Sequence, residues 1–276
     1  MKTSLIILSF LVFQHALRAQ KMPADYYHEA SEFYGEKEYD KALQAFQYIV
    51  DNHPRNELYP TSFYNTGYIY FIQKQFDKAI PVFQAIINGN FNDKDKVGEG
   101  IMDDPYANYK HKACEILCDI HYTREAYDSA LYYFALSDSA YPYLHFCGNE
   151  YAANDVHTAL KYADIYQKLK QPEKAISKLL PAVFIELANN KKVIDELQTL
   201  LKNETNLKGK LDQAVQKIYL RKYKTGKGQY ERYYFRFLDT ELPVPEDPGA
   251  DDKPFNKEKT IKTIMASRFY KMIAQL

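Results

Sequence analysis

Four side chains of the kinds that bind zinc lie close together in the middle of the chain. They are His111, Cys114, Cys118 and His121. This spacing places all four on one face of a helix. Ten residues of helix rise about 15 Å, so one ion could reach at most three of them, with His145 or Cys147 as a further ligand. The pattern is compatible with a zinc- or thiol-dependent site centred on Cys114 and Cys118.

The remaining candidates for chemistry are weaker. The segment 224–228 is basic and rich in glycine, but it joins two predicted strands and lacks the spacing of a phosphate-binding loop. The carboxylate pairs Asp103-Asp104 and Asp251-Asp252 are typical of solvated turns. The sequence has no serine-hydrolase, zinc-protease or calcium-loop motif. It therefore predicts a protein that is not an enzyme and holds no cofactor or metal.

Helix–turn–helix patterns account for most of the chain that carries these residues. In one copy the spaced positions are Tyr26, Ala30, Phe33, Tyr39, Ala42, Phe46 and Pro54. The next copy has Phe63, Gly67, Tyr70, Phe76, Ala79 and Phe83 at nearly the same spacing. Two helices that pack closely need small residues where they cross, with aromatic residues on either side. The pattern therefore predicts paired helices.

Two further copies follow with more variation. One copy comprises Cys114, Cys118, His121, Tyr127, Ala130, Phe134 and Pro142. The other comprises Ala159, Ala163, Tyr166, Ala175 and Leu179. Four alanines, at positions 42, 79, 130 and 175, occupy equivalent places. Their separations are not constant, which indicates insertions between the copies, and the largest is a polar loop near residues 92–104.

These spacings resemble the tetratricopeptide repeat, a 34-residue unit of two helices that stacks on its neighbours to form a solenoid. The resemblance covers about four repeats over residues 23–189 and implies an all-α fold that binds proteins or peptides. In its register Cys114, Cys118 and His121 occupy places equivalent to Phe63, Gly67 and Tyr70, which are core positions. Burial in the core is thus the alternative to a zinc site for these residues.

The resemblance also implies which residues line a concave groove. These are the positions between the core positions on the first helix of each repeat. The aromatic members, which we expect to bind the partner, are Tyr27, Tyr34, Tyr64, Tyr68, Phe71 and Tyr122. The other members are Ser31, Glu115, Asp119, Leu160, Asp164 and Gln167. The Lys/Asn set with which some family members grip a peptide carboxylate is missing, which argues against a chaperone-tail adaptor.

The C-terminal region, residues 190–276, has a different pattern. Two amphipathic helices are predicted around 193–201 and 207–218, and they fit a polar cap that closes a solenoid. A β-hairpin is predicted over 218–242 and a final helix over 256–275. The final helix carries Ile261, Ile264, Met265, Phe269, Met272 and Ile273 on one face. This face could dock on its own domain or attach to a membrane surface.

The N-terminus resembles an export signal. A basic start, a short apolar segment and Ala19 predict removal of residues 1–19, so the mature protein would be periplasmic or secreted. The chain has 36 basic and 36 acidic residues; Lys2 and Arg18 leave with the signal, so 34 − 36 gives a net charge of −2. This balance gives no long-range attraction for nucleic acid. No second segment is apolar enough to span a membrane in the mature chain.

Three cysteines in an exported chain leave one unpaired if a disulfide forms. A bridge between Cys114 and Cys118 within one helix would be strained, so Cys147 is the better partner for either. Three reduced, buried thiols are the equally compatible alternative.

Overall fold

Each of the four repeat copies folds as a pair of packed helices. The computed structural model describes residues 21–96, 105–185, 187–225, 228–245 and 255–276, with the backbone alone at 223–225 and 228–230. The first pair is α1 (Pro23–Gly35) with α2 (Tyr39–Asn52), and the second is α3 (Tyr59–Ile72) with α4 (Phe76–Asn88). The third is α5 (Tyr109–Thr123) with α6 (Tyr127–Ser139), and the fourth is α7 (Gly148–Lys168) with α8 (Pro172–Leu179).

The turn within every pair has the same geometry. A residue with positive φ follows the first helix in each pair: Lys37, Lys74, Glu125 and Lys170. The next N–H donates back to the carbonyl of Phe33, Tyr70, His121 or Tyr166, respectively. This bond closes the helix end in the manner of a Schellman motif. The four acceptors are the aromatic or histidine positions of the repeat pattern, so the predicted register is confirmed in all four pairs.

The chain divides into two compact units, one ending at Phe91 and one beginning at Asn92. In the first unit α2 packs on α3, so the second helix pair stacks on the first. The small residues Ala30 and Ala42 are fully buried. A Cβ atom on Gly67 would lie 2.8 Å from Val82 Cγ1 and 3.1 Å from Phe83 Cζ. The predicted crossing of α3 and α4 at Gly67 is therefore confirmed.

In the second unit α6 packs on α7, which stacks the fourth pair on the third. A core cluster formed by α5, α6 and α7 contains Cys118, Ala130, Phe134, Tyr162 and Ile165. Cys118 has no exposed surface and occupies the small-residue position of the repeat.

After α8 the chain forms a 3-10 turn (Leu180–Ala182), α9 (Lys191–Leu201) and α10 (Leu207–Val215). The amphipathic helices predicted here are confirmed. Their apolar faces join one core with the end of the repeat region and the remaining C-terminal elements. A small antiparallel sheet follows, and two short helices complete the chain.

The predicted hairpin is part of a three-stranded sheet. Its strands are β1 (Tyr219–Thr225), β2 (Gly228–Phe237) and β3 (Thr240–Pro243), in the order β1-β2-β3. The predicted hairpin over 218–242 has only two strands, whereas in the structure Leu238 and Asp239 both have positive φ and form a tight turn that divides its second half. Two successive residues of this kind suit the twist of a two-residue hairpin. The usual signal, Asn-Gly or Asp-Gly, is missing, so sequence reasoning overlooked the turn.

The predicted single final helix was wrong. The chain forms α11 (Lys257–Ala266) and α12 (Arg268–Gln275), separated at Ser267, whose backbone is extended and whose hydroxyl caps the second helix by accepting from Tyr270 N–H. Phe269 and Ile273 are buried in the core of this unit. Met265 is 44% exposed, because the break removes it from the buried face.

Some predictions fall outside the described residues. These are the signal segment 1–19, most of the inserted loop, both aspartate pairs and the centre of the glycine-rich turn at 226–227. Across the described part of the chain, no helix is both long and apolar enough to cross a bilayer.

Candidate functional site

Five of the six predicted partner-binding residues lie in the first unit and come together there. Tyr27 and Tyr34 are on α1, and Tyr64, Tyr68 and Phe71 are on α3. We call these five side chains the aromatic surface. The two α1 residues are at i and i+7, and the three α3 residues are at i, i+4 and i+7. Each helix therefore presents its members on one face.

Hydrogen bonds between side chains join the two helices of the aromatic surface. The Tyr34 side chain is hydrogen-bonded to that of Tyr68. Tyr27 is hydrogen-bonded to the side chain of Asn65, the residue next to Tyr64. These two links hold the first helix of one repeat beside the first helix of the next. Asn65 was not among the predicted residues, and no motif in the sequence marks it.

Ring contacts order the side chains along α3. Tyr64 and Tyr68 are stacked with centroids 6.2 Å apart and an interplanar angle of 13°. Tyr68 lies 6.1 Å from Phe71, which lies 6.2 Å from Phe76 of the following helix. Such offset aromatic pairs are worth about 0.5–1.5 kcal/mol each beyond their buried area. The rings therefore fix one another in place before any partner binds.

The aromatic surface is half-buried, which corrects one expectation. The repeat pattern separates Tyr64, Tyr68 and Phe71 from the core positions, but Tyr64 also contacts the buried ring of Phe83 at 5.8 Å. Tyr34 is the most open of the five, with 38% of its surface exposed. The same rings thus pack within the unit and present their outer edges to solvent.

The electrostatics of this surface suit binding rather than proton transfer. Burial raises the pKa of Tyr34, and the neighbouring Tyr68 adds to the effect. Burial also raises the pKa of Tyr27, against the opposing effect of the Asn65 hydrogen bond. Both phenols therefore stay neutral at physiological pH. The surface offers flat rings and hydroxyl groups, which is the chemistry of an amphipathic contact area.

The sixth predicted residue, Tyr122, lies in the second unit. Burial and a hydrogen bond to Asp164 on α7 raise the pKa of Tyr122. The Lys161 ammonium lies 5.1 Å from the centre of the Tyr122 ring. This tyrosine is thus engaged by groups of its own unit and is not part of the aromatic surface.

The polar groove positions of the second unit are also engaged by α7. Asp119 Oδ1 accepts a hydrogen bond from Lys161 Nζ at 2.6 Å. Glu115 lies 3.6 Å from both His157 Nε2 and His111 Nε2. Burial alone would raise the pKa of Glu115, but the His157 hydrogen bond and the nearby positive charges lower it overall. These side-chain interactions therefore link α5 to α7 within the second unit.

The cysteines occupy packing positions. Cys114 and Cys118 are fully buried, and burial raises the pKa of each thiol to about 12. Thiols of this kind are almost entirely protonated at neutral pH and make poor nucleophiles or metal ligands. All three cysteines are free, so of the two alternatives left open by the sequence the structure has reduced thiols and no bridge to Cys147. Cys147 instead precedes α7, where its N–H donates to His145 Nδ1.

The histidines of the zinc pattern point to other contacts. His111 Nδ1 lies 2.9 Å from the carbonyl of Tyr141, and the ring of His121 stacks on Tyr133 at 5.3 Å. Burial lowers the pKa of His121. Within the described ranges, no three side chains of histidine, cysteine, aspartate or glutamate are grouped closely enough to hold a metal ion.

Comparison with known proteins gave no family assignment. No protein-family model matches the chain. A search of curated proteins also gave no match. The geometry of the helix pairs and of the aromatic surface is therefore the evidence from which a function can be proposed.

Proposed function

We propose that this protein is an exported, non-catalytic binding module of the tetratricopeptide-repeat type, which holds a protein or peptide partner on the aromatic surface of its first unit. The observation that carries the proposal is the alignment of Tyr27, Tyr34, Tyr64, Tyr68 and Phe71 across two adjacent first helices, with each ring fixed by a neighbour. First helices supply the binding face in proteins with this repeat.

The rings of the aromatic surface are held in place before a partner binds. A flexible surface loses side-chain entropy when it binds, at about 0.5–1.5 kcal/mol for each mobile side chain. Ring stacking and the Tyr34–Tyr68 hydrogen bond have already removed much of that freedom. Large aromatic side chains are also the most frequent hot spots of protein interfaces. A neutral, aromatic surface favours an apolar or aromatic segment of the partner over a highly charged one.

The setting of this function is the cell envelope or the extracellular space. The proposal rests on the basic start, short apolar segment and Ala19 at the N-terminus. Mass measurement of the exported protein should show a mature chain that begins after residue 19. A mature chain that retains Met1 or Lys2 would contradict export by this signal.

Site-specific photo-crosslinking tests the binding surface directly. A photoreactive phenylalanine analogue is placed at Tyr68 and, as a control, at Tyr132, which is 61% exposed on α6. In cells that make the protein, we expect one specific crosslinked product from position 68 and none of the same mass from position 132. Equal crosslinking from both positions, or none from position 68, would refute the proposal.

The crosslinked partner then allows a quantitative test. Tyr68→Ala should weaken its binding by at least ~1–2 kcal/mol, as expected for a typical hot spot. Tyr68→Phe keeps the ring stack and should lose much less, while Tyr132→Ala should bind as the wild type does. A Tyr68→Ala variant that melts at a lower temperature but binds with wild-type affinity would assign these rings to internal packing alone.

A further inference from the structure

One edge of the sheet in the second unit has no strand against it among the described residues. β1 is the outer strand of the order β1-β2-β3 and pairs only with β2, from Tyr219↔Tyr234 to Thr225↔Gly228. Alternate N–H and C=O groups of its seven residues therefore point away from the sheet. Such an edge is a template on which an extended peptide can add as a further strand.

The side chains on this edge carry positive charge on both faces of the sheet. Arg221 and Lys222 are neighbours in β1, so they lie on opposite faces, and both are more than half exposed. From residue 213 to residue 230 the sequence has lysine or arginine at 217, 221, 222, 224 and 227 and no acidic residue. The edge strand therefore has a net positive charge, although Lys222 Nζ lies 2.6 Å from Glu231 Oε1 of β2.

The outer face of the sheet carries the guanidinium groups of Arg221, Arg232 and Arg236, and Asp155 lies close enough to Arg232 to interact with its charge. Arg221 and Arg232 are directly opposite each other in the β1–β2 register, so their like charges repel each other. Glu241 on β3 accepts from Arg221 at 2.5 Å and lies 3.8 Å from Arg236. The Tyr219 hydroxyl donates to the same carboxylate at 2.6 Å. One carboxylate therefore serves two arginines and a tyrosine.

Charged side chains on an edge strand often have no role beyond preventing aggregation. Two observations go beyond that role. Tyr219 and Leu220, the residues before the charged pair, are 36% and 37% exposed, and they lie on opposite faces of β1. A strand protected by charge alone has no need of two large apolar side chains at the same edge. An added strand would cover both of them.

The charges also select the occupant. A second copy of this chain that paired through β1 would bring its own Arg221 and Lys222 beside those of the first copy, and like charges at that distance are destabilising. An acidic segment would meet them with opposite charge, and carboxylate–guanidinium contacts are among the strongest hydrogen bonds in proteins.

We propose that β1 is a docking edge for an extended, acidic peptide segment of a partner protein, which adds to the sheet as a fourth strand. Backbone hydrogen bonds to the free edge would hold the segment. Its carboxylates would alternate between Arg221 on the outer face and Lys222 on the inner face. This site lies entirely within the second unit and does not depend on the aromatic surface.

Fluorescence anisotropy with synthetic peptides tests the proposal on the mature full-length protein. The probe is a labelled eight-residue peptide with the repeating order Glu-Glu-Val-Val, which places glutamates on both faces of an extended strand. Two matched peptides serve as controls: one has lysine in place of glutamate, and the other keeps glutamate but carries N-methyl groups on alternate amides. We expect the first peptide to bind, with affinity that falls as salt is raised, and both controls to bind at least ~10-fold more weakly.

Substitutions in the protein locate the site. Arg221→Gln should weaken binding of the glutamate peptide at least ~10-fold because it removes a charge-assisted hydrogen bond. Lys202→Gln, an equal charge change at the end of α9, should leave binding within ~2-fold. Circular dichroism and melting curves establish that each variant is folded. If Arg221→Gln is unstable, Lys222→Gln takes its place with the same expectation.

Three results would overturn the proposal. Equal binding of the N-methylated peptide would show that charge alone attracts the ligand and no strand is added. No binding of the glutamate peptide at ~1 mM would leave the basic residues with only a protective role. Concentration-dependent dimers in analytical ultracentrifugation that become tighter in Arg221→Gln would show that a second copy occupies the edge.

Discussion

Gly67 and Val82 approach each other so closely that a methyl group on Gly67 would lie 2.8 Å from Val82 Cγ1. This contact marks the point where α3 and α4 cross. It sets how closely α4 approaches α3, the helix that carries Tyr64, Tyr68 and Phe71.

Substitution at Gly67 should destabilise the first unit in proportion to side-chain size. Gly67→Ala forces a shift of Val82 or Phe83, and Gly67→Leu forces a larger one, since overpacking a closely packed site costs ~1–3 kcal/mol or more. Chemical denaturation measures the loss. Gly35→Ala is the control, because no heavy atom lies within 4 Å of a Cβ there. Equal stability of Gly67→Leu and wild type would show that the register is wrong.

The cysteines should differ in reactivity. Cys147 is partly exposed, while Cys114 and Cys118 are fully buried. We expect a thiol reagent at pH 8 to modify one cysteine rapidly in the native protein and the other two only after denaturation. Rapid modification of all three thiols in the native protein would contradict this assignment, as would one tightly held zinc ion per chain that is lost in Cys114→Ala.

The same burial predicts how stability depends on alkaline pH. The ordinary thiol pKa is 9.0, and in the folded protein it is about 12 for Cys114 and Cys118. Between these values the folded state holds more protons than the unfolded state, so the free energy of unfolding falls as pH rises. Replacing both cysteines with alanine should reduce that fall, and melting curves between pH 8 and pH 10 would show it.

The lowered pKa of Glu115 predicts that, at acidic pH, the free energy of unfolding rises as pH rises. Its pKa is lowered in the folded state from the ordinary value of 4.5, so its contribution to stability is present above that value and is lost as pH falls. Glu115→Gln should therefore lower stability by up to about 1 kcal/mol at pH 6 and by much less at pH 3. Glu173→Gln, an exposed change on α8, should have little effect at either pH. A deficit that is equal at both pH values would exclude the ionic tie to α7.

The end of the chain should contribute to the core of the second unit. Phe269 has no exposed surface, so Phe269→Ala should cost ~3–5 kcal/mol. Met265→Ala on the preceding helix should cost far less because Met265 is largely exposed. Denaturant unfolding compares the two. The helix would instead be a membrane anchor if the wild-type protein bound lipid vesicles, the Met265→Ala variant did not, and Phe269→Ala left stability unchanged.

The repeat register could be predicted because it depends on local steric rules. Ala30, Gly67, Cys118 and Ala163 are all small and all buried, and the helix pairs form around them as the spacing indicates. The left-handed turns could not be predicted, since Lys37, Lys74, Glu125 and Lys170 are not residues that favour positive φ. Packing of the two helices imposes that conformation on whichever residue occupies the position.

The sequence by itself determined the paired helices, the small residues at their crossings and the positions of the aromatic residues along the first helices, because each depends on side-chain size and on the period of a helix. Only the tertiary structure decided what those aromatics contact. It joined Tyr34 to Tyr68, engaged Tyr122 with Asp164, left the cysteines unpaired and broke the last helix at Ser267. These outcomes depend on which elements lie side by side, and that proximity arises from packing between segments far apart in the chain.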